Sequence, residues 1–447
     1  MIILRSKRSF FLLLLDLVSL YLSFTLASFI CLDSFFSIFE LYQTHIGWVF
    51  AVFLFCLYLF NFYSPFRKFS SEQTAVSLLM SLSSGVVVAI FLSFFVKNNF
   101  PKSAFFFGTL FFFFFVFYTR YYYNKVYGST IMRSKIVVIG NGSWAAEIVK
   151  LIKNTPFTGL DIVGLISHQS WFGHDEEETV PVLGDILQLD NIIKQYQIKK
   201  VVIALDENSQ SLERNIIAEL YKRNIQIISS HQLYEDITGK VAYNYFRGEY
   251  LISMAIEASQ NKYLIIKRGL DIILSIILAV ITLPLLMASI LILAIDYRSI
   301  RTTFIIQKRI GKHGVPFDLY KLRTMLNLPN GEKQITFVGK WLRRYRIDEL
   351  PQLFNIVIGD MSLIGSRPEL PYFINYSRKN IPYYNVVLSI SPGLTGWAQV
   401  KFRHTSQLED YNEKFCFDLY YLKHCSLQLD ILILFKTVRT ILFGRGS

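Results

Sequence analysis

Two adjacent carboxylates stand in a basic setting in the run Arg344-Tyr345-Arg346-Ile347-Asp348-Glu349-Leu350-Pro351-Gln352. Pro is favoured in the first turn of a helix, and Leu350, Leu353, Phe354 and Val357 recur at helical spacing, so the pattern predicts a helix beginning near Asp348. Free N–H groups and the positive end of the dipole would keep a carboxylate ionised there and attract a phosphate. Successive helical side chains point about 100° apart, so the two acids are expected to divide the work, one as nucleophile and one as metal ligand. Arg343, Arg344 and Arg346 would neutralise the charge of a diphosphate. The same residues also read as an acidic helix cap beside surface arginines.

Neighbouring segments weigh on that choice. Gln307-Lys308-Arg309-Ile310-Gly311-Lys312-His313-Gly314, Tyr320-Lys321-Leu322-Arg323-Thr324-Met325 and the stretch from Gly359-Asp360 to Arg367-Pro368-Glu369 are polar, basic and glycine-bearing, a composition suited to phosphate oxygens. Lys267-Arg268-x-x-Asp271, Pro392-Gly-Leu-Thr-Gly-Trp397-Ala-Gln399 and the run from Asp418-Leu-Tyr-Tyr421 to Asp430 complete an ordered series from about Lys262 to the C-terminus.

In these blocks the chain resembles the bacterial sugar transferases, the polyprenyl-phosphate phosphoglycosyl transferases whose catalytic domain carries a re-entrant membrane helix. The resemblance implies transfer of a hexose 1-phosphate from a UDP-sugar to undecaprenyl or another polyprenyl phosphate, with release of UMP. The product would be the first lipid-linked intermediate of exopolysaccharide, capsule or O-antigen synthesis. It implies Asp348 as the nucleophile that carries the phosphosugar and Glu349 as the ligand of Mg2+. It also implies Lys321, Arg323, Arg343, Arg367, Gln307 and Arg309 as candidates for contacts to the diphosphate and nucleotide. Two departures from the family pattern, Ser366 for the usual proline and Leu322 for the usual phenylalanine, remove no charge and bear on pocket shape.

A second glycine motif, Gly140-Asn141-Gly142-Ser143-Trp144-Ala145, follows a β-branched run and opens a helical pattern, the arrangement that can cradle a dinucleotide pyrophosphate. The acid that should end the next strand and hold a ribose is missing. Ser167 and His168 stand there, and Asp161 opens that strand instead. Tyr196 and Lys200 have the Y-x-x-x-K spacing of short-chain dehydrogenases, but they straddle a helix end and a strand start. Gly140 and Gly142 therefore support only an incomplete cofactor site. The rival readings are an NAD-dependent nucleotide-sugar epimerase or dehydratase, and a non-catalytic membrane scaffold for polysaccharide assembly.

These residues need elements to position them. Four apolar stretches, Phe10 to Cys31, Ile46 to Phe62, Val76 to Val96 and Phe105 to Tyr122, each approach the ~20 residues that cross hydrocarbon and predict a four-helix transmembrane bundle over 1–125. Arg5, Lys7 and Arg8, then Arg67 and Lys68, then Arg120, Lys125, Arg133 and Lys135 flank the cytosolic ends, while the loop from Asp33 to His45 has no base; Lys97 and Lys102 lessen the contrast. From Lys135, strands (Lys135 to Ile139, Ile162 to Ile166, Val201 to Leu205, Ile225 to Ile228) alternate with helices (Ala145 to Lys153, Ile186 to Tyr196, Leu212 to Arg223), predicting a Rossmann-like α/β domain over 130–255.

The remaining 258–447 is expected to be an α-rich catalytic domain with a re-entrant helix hairpin at 270–295. Bases flank that segment on both sides, Lys262, Lys267 and Arg268 before it and Arg298, Arg301, Lys308 and Arg309 after it, so both ends carry the cytosolic signature. Pro284 would break or kink the helix midway, with Ser275, Thr282 and Ser289 to satisfy the backbone. A Pro-kinked helix that crosses is the alternative.

Composition agrees with a membrane protein: 447 residues, 52% hydrophobic, and a net charge of +13 although only 18% of residues are charged. Such a balance suits anionic lipid and phosphates better than nucleic acid. The four cysteines form neither a disulfide framework nor a zinc pattern, and the first apolar run has no small-residue cleavage site, so it reads as a retained span. The expected setting is the inner membrane with both later domains cytosolic. The expected partners are UDP-sugar, polyprenyl phosphate and anionic lipid, without nucleic acid and with homo-oligomerisation open.

Overall fold

A computed structural model describes residues 7–32, 46–60, 62–63, 71–93, 102–127, 133–155, 158–167, 180–205, 210–297, 299–327, 333–402 and 410–442. Arg5, Arg67, Lys68, Lys97, His168 and Arg298 lie outside them. The chain forms two compact units, Met1–Ile237 and Thr238–Ser447.

The first unit begins with α1 (Lys7–Leu32), α2 (Ile46–Leu59), α3 (Ser71–Ser93) and α4 (Lys102–Tyr127). Within them Ser9–Cys31, Thr74–Leu92 and Lys102–Tyr123 are long and apolar enough to cross a membrane. The second expected span is shorter, because the chain turns after Leu59 and packs Phe62 and Tyr63 into the bundle core. Its 14 residues make about 21 Å, less than the ~30 Å of hydrocarbon. The Phe run of α4 divides by face: Phe112 is buried in the core while Phe106 and Phe114 are exposed. Arg120 corrects the charge reading, since it lies inside α4 rather than beyond it. Its guanidinium pairs with Asp16 of α1 at 2.5 Å, and both side chains are fully buried.

Next come β1 (Ser134–Gly140), α5 (Gly142–Asn154), β2 (Leu160–Ile166), β3 (Val182–Gly184), α6 (Leu189–Tyr196), β4 (Lys200–Ala204), α7 (Gln210–Lys222), β5 (Gln226–Ser229) and α8 (Ser230–Thr238). The five strands are parallel in the order β3-β2-β1-β4-β5. Buried Val and Ile on both faces of β1 and β4 are what a covered parallel sheet requires. β3 and α8 were not expected from the sequence. Gly140 is needed because a Cβ there would stand 2.0 Å from the Ala204 carbonyl oxygen, and Gly142 opens α5 at φ +74°. Both glycines thus have a backbone reason independent of any ligand. Trp144 is buried beside them, stacked on His231 at 4.8 Å and donating to Ser230 Oγ at 3.0 Å.

The second unit contains α9 (Gly248–Ser259), α10 (Tyr263–Asp296), β6 (Phe304–Ile310), β7 (Pro316–Leu322), β8 (Met325–Asn327), β9 (Lys333–Ile335), α11 (Phe337–Arg344), α12 (Gln352–Ile358), β10 (Ser362–Ile364), α13 (Pro371–Asn380), β11 (Gly393–Thr395), α14 (Trp397–Lys401), α15 (Asp410–His424) and α16 (Leu427–Leu442). Its strands pair as three short ladders. Leu251, Met254 and Ala258, spaced as one helical stripe, join Val241 and Tyr243 in a single core with Ile356, Phe415 and Leu419. The domain boundary therefore falls at Thr238, ahead of the expected 258.

α10 runs helical through all 34 residues, with Pro284 inside it, where a break was expected. Thr282 and Ser289 hydroxyls bond the carbonyls of Leu278 and Leu285 on either side of the proline. Its start is pinned to the unit by Lys267 with Asp430 (2.7 Å), Arg268 with the Ile356 and Val357 carbonyls, and Asp271 with Ser362 (2.6 Å). Its end is pinned by Leu293, clustered with Leu322, Leu342 and Ile347, and by Tyr297, which donates to the Arg323 carbonyl.

Candidate functional site

The β6–β7 hairpin pairs Arg309 with Phe317, Gln307 with Leu319 and Ile305 with Lys321, which places Gln307, Arg309 and Lys321 on one face. Asn355, fully buried on α12, locks this hairpin to the helix that follows the acidic turn. Its Oδ1 accepts from the Tyr320 N–H at 3.1 Å and its Nδ2 donates to the Asp318 carbonyl at 2.7 Å. The sequence does carry a signal for Asn355, a polar residue among apolar Leu353, Phe354 and Ile356.

Asp348 and Glu349 lie on a 3-10 turn, Ile347–Glu349, entered through Arg346 at φ +55°. This corrects the expected helix start: α12 begins at Gln352, after Pro351. The N–H groups of Glu349 and Leu350 are already bonded to the Arg346 and Ile347 carbonyls. Side-chain cations therefore meet the acids instead of a helix terminus. Lys321 Nζ stands 3.1 Å from Asp348 Oδ2. Arg346 and Arg367 approach separate Glu349 oxygens at 3.2 and 3.3 Å.

These partners separate two acids that are adjacent in the chain. Asp348 is only 4% exposed, and burial pushes its carboxyl above the usual range despite Lys321. Burial acts on Glu349 in the same sense, but Arg367 and Arg346 outweigh it and hold that carboxyl below its ordinary value. A pair of titratable groups driven apart in this way suits two different tasks.

Of the other candidates, Arg343 lowers the Asp348 carboxyl electrostatically. Gln307 Oε1 accepts from Arg309, which also donates to the Pro368 carbonyl at 3.2 Å. Among the described residues no hydrogen bond or ion pair joins Arg323 to the acids: its backbone bonds Thr303 and Tyr297, and its buried Nε has no hydrogen-bond partner. Gly140 and Gly142 belong to the first unit. Among the described residues no three His, Cys, Asp or Glu side chains converge as a metal cage. Asp348 and Glu349 still fit Mg2+, which commonly takes one or two carboxylates and completes its shell with substrate phosphates.

The profile of the bacterial sugar transferases matches residues 262–444. An uncharacterized sugar transferase of Bacillus subtilis is 38% identical over 191 residues, covering 41% of this chain and 90% of that protein. The chain belongs to the bacterial sugar transferase family. The chain is also 37% identical over 233 residues to a UDP-N-acetylgalactosamine-undecaprenyl-phosphate N-acetylgalactosaminephosphotransferase of Aeromonas hydrophila, across 50% of the chain and 54% of that relative. It thus spans about half the length of the Aeromonas protein. A UDP-glucose:undecaprenyl-phosphate glucose-1-phosphate transferase of Xanthomonas campestris pv. campestris is 27% identical over 331 residues, 69% of the chain and 66% of the relative. In the first unit a CoA-binding domain profile matches residues 58–230.

Two further features of the second unit have no signal in the sequence. Glu369 and Lys414 form a buried ion pair behind Arg367. Lys267 and Tyr421 converge on Asp430, joining α10 to α15 and α16. Contacts between residues 45 or 163 positions apart leave no local pattern to find.

Proposed function

We propose that this sugar transferase moves a hexose 1-phosphate from a UDP-sugar to undecaprenyl phosphate through a phosphosugar–Asp348 intermediate. The observation that carries the reading is the divided acid pair: a desolvated Asp348 with one lysine, beside a Glu349 held ionised by two arginines. Asp348 Oδ attacks the β-phosphorus, the bond to the bridging oxygen breaks, and UMP leaves. A phosphate oxygen of the lipid then attacks the same phosphorus and releases the Asp348 carboxylate, giving the polyprenyl diphosphosugar. Lys321, Arg346 and Arg367 neutralise the diphosphate, since such transfers depend mainly on positioning and charge. Glu349, with Asp348 beside it, would hold Mg2+, which supplies further charge neutralisation at the phosphates. The names of the Aeromonas and Xanthomonas relatives support UDP-sugar and undecaprenyl phosphate as the two substrates.

A lipid acceptor requires the site to lie near the membrane surface. If straight, the helix would carry Leu293 about 37 Å from Arg268. Their partners, Ile356 on α12 and the cluster around Ile347 on the 3-10 turn before it, are only nine residues apart. This supports a bend near Pro284, so that α10 dips into the cytosolic leaflet and returns, leaving the catalytic unit on the inner face. The test is UMP release by purified protein supplied with Mg2+, undecaprenyl phosphate and a panel of UDP-sugars. Turnover with at least one sugar, lost in Asp348→Asn, is the expected result, and no release with any sugar would overturn the reading.

A further inference from the structure

Arg367 stands between two anions. In front of it is Glu349 at 3.3 Å; two residues along its own loop is Glu369, 8% exposed. The loop is fastened to β6, where the Ile310 N–H donates to the Glu369 carbonyl at 3.1 Å and Arg309 donates to the Pro368 carbonyl. The Glu369 side chain is held from behind by Lys414 of α15, 6% exposed and paired with Glu369 Oε1. Asp418, one turn further along α15, lines a small cavity together with Ser366, Arg367 and Glu369. Burying such a pair costs desolvation of both ions and is often no better for stability than packed hydrophobic residues. Its position behind Arg367 suggests another use.

Without the charge of Glu369, Arg367 would face the like-charged Arg309 and be drawn wholly onto Glu349. That carboxylate would then be taken from the metal, and the guanidinium from the diphosphate. We propose that Glu369, fixed by Lys414, is a positioning residue for Arg367, dividing its guanidinium between Glu349 and the diphosphate of the incoming nucleotide sugar. The proposal rests on the reaction argued above.

The test is steady-state UMP release by the full-length enzyme, varying UDP-sugar, Mg2+ and lipid phosphate separately. Glu369→Gln and Lys414→Met should raise the KM for UDP-sugar about 10- to 100-fold and the Mg2+ needed for half-maximal rate, with little change in the KM for lipid phosphate. Lys414→Arg should restore most of the loss, and Glu369→Gln should cost little more when added to Arg367→Lys. An unchanged KM for UDP-sugar with a lower kcat, losses that add in full to Arg367→Lys, or no rescue by Lys414→Arg would each overturn the positioning role. Should Lys414→Met not fold, Glu369→Gln and the double variant carry the same decision. A parent enzyme silent with every UDP-sugar would instead overturn the reaction itself.

Discussion

On the turn at 347–349 Asp348 gives up most of its water, and Lys321, the cation bonded to it, returns less than burial takes away. A nucleophilic carboxylate must be ionised, so removing Lys321 should push the Asp348 carboxyl still higher. Lys321→Met is expected to shift the acid limb of the kcat/KM profile to higher pH and to slow the reaction about tenfold near neutrality; an unmoved limb would separate that titration from Asp348. Asp348→Asn should lower UMP release by roughly a thousandfold or more in a folded protein, because the amide keeps the shape and loses the nucleophile. Both acids and Lys321 were legible in the sequence, since they are charged residues in ordered blocks. The absence of Arg323 from the acid pair was not. Its i+2 spacing from Lys321 suggests a shared strand face, but β7 ends at Leu322 and Arg323 leaves the ladder.

At the scale of elements, hydrophobic pattern was a good guide where an element packs against its sequence neighbours, as in the parallel sheet. It misled where the partner is distant. α9 follows the α/β domain in sequence yet contributes Leu251, Met254 and Ala258 to the catalytic core. A chain beginning at Ala258 should therefore aggregate, whereas one beginning at Thr238 should stay monodisperse in detergent; gel filtration distinguishes the two, and a well-behaved shorter form would contradict the core assignment. On α15, burial pushes the Asp418 carboxyl up to about 6 from 3.8, with Lys414 opposing and Glu369 adding to the rise. The folded state then holds this proton more tightly than the unfolded chain, so stability from this group is full below about pH 4, declines toward pH 6 and stays low above it. The difference is on the order of 3 kcal/mol. Asp418→Asn should raise the melting midpoint near pH 8 and flatten its fall between about pH 4 and 6. A lower midpoint near pH 8 would mean that the ionised carboxylate is itself needed.

For the whole molecule, apolar runs disclosed the membrane helices because about 20 consecutive apolar residues have few other uses. Charge counting was less secure, since it gave Arg120 to a loop when it lies inside the bundle. Sidedness can be measured directly. Cysteines placed at Lys262, exposed before α10, and at Lys312, exposed after it, should both react with an impermeant reagent from the cytosolic side only. Opposite sidedness would mean that α10 crosses and would take the acid pair out of the compartment that holds nucleotide sugars. The bundle's buried Asp16–Arg120 pair also imposes an order on synthesis. The two residues are 104 positions apart, so at about 5–20 residues per second Asp16 is made several seconds before its counter-ion exists. A lone Asp near the middle of a membrane helix costs about 2.5–3.5 kcal/mol. During that interval α1 is a poor guest in hydrocarbon, and the nascent chain gains its full hold on the bilayer when the ribosome delivers α4.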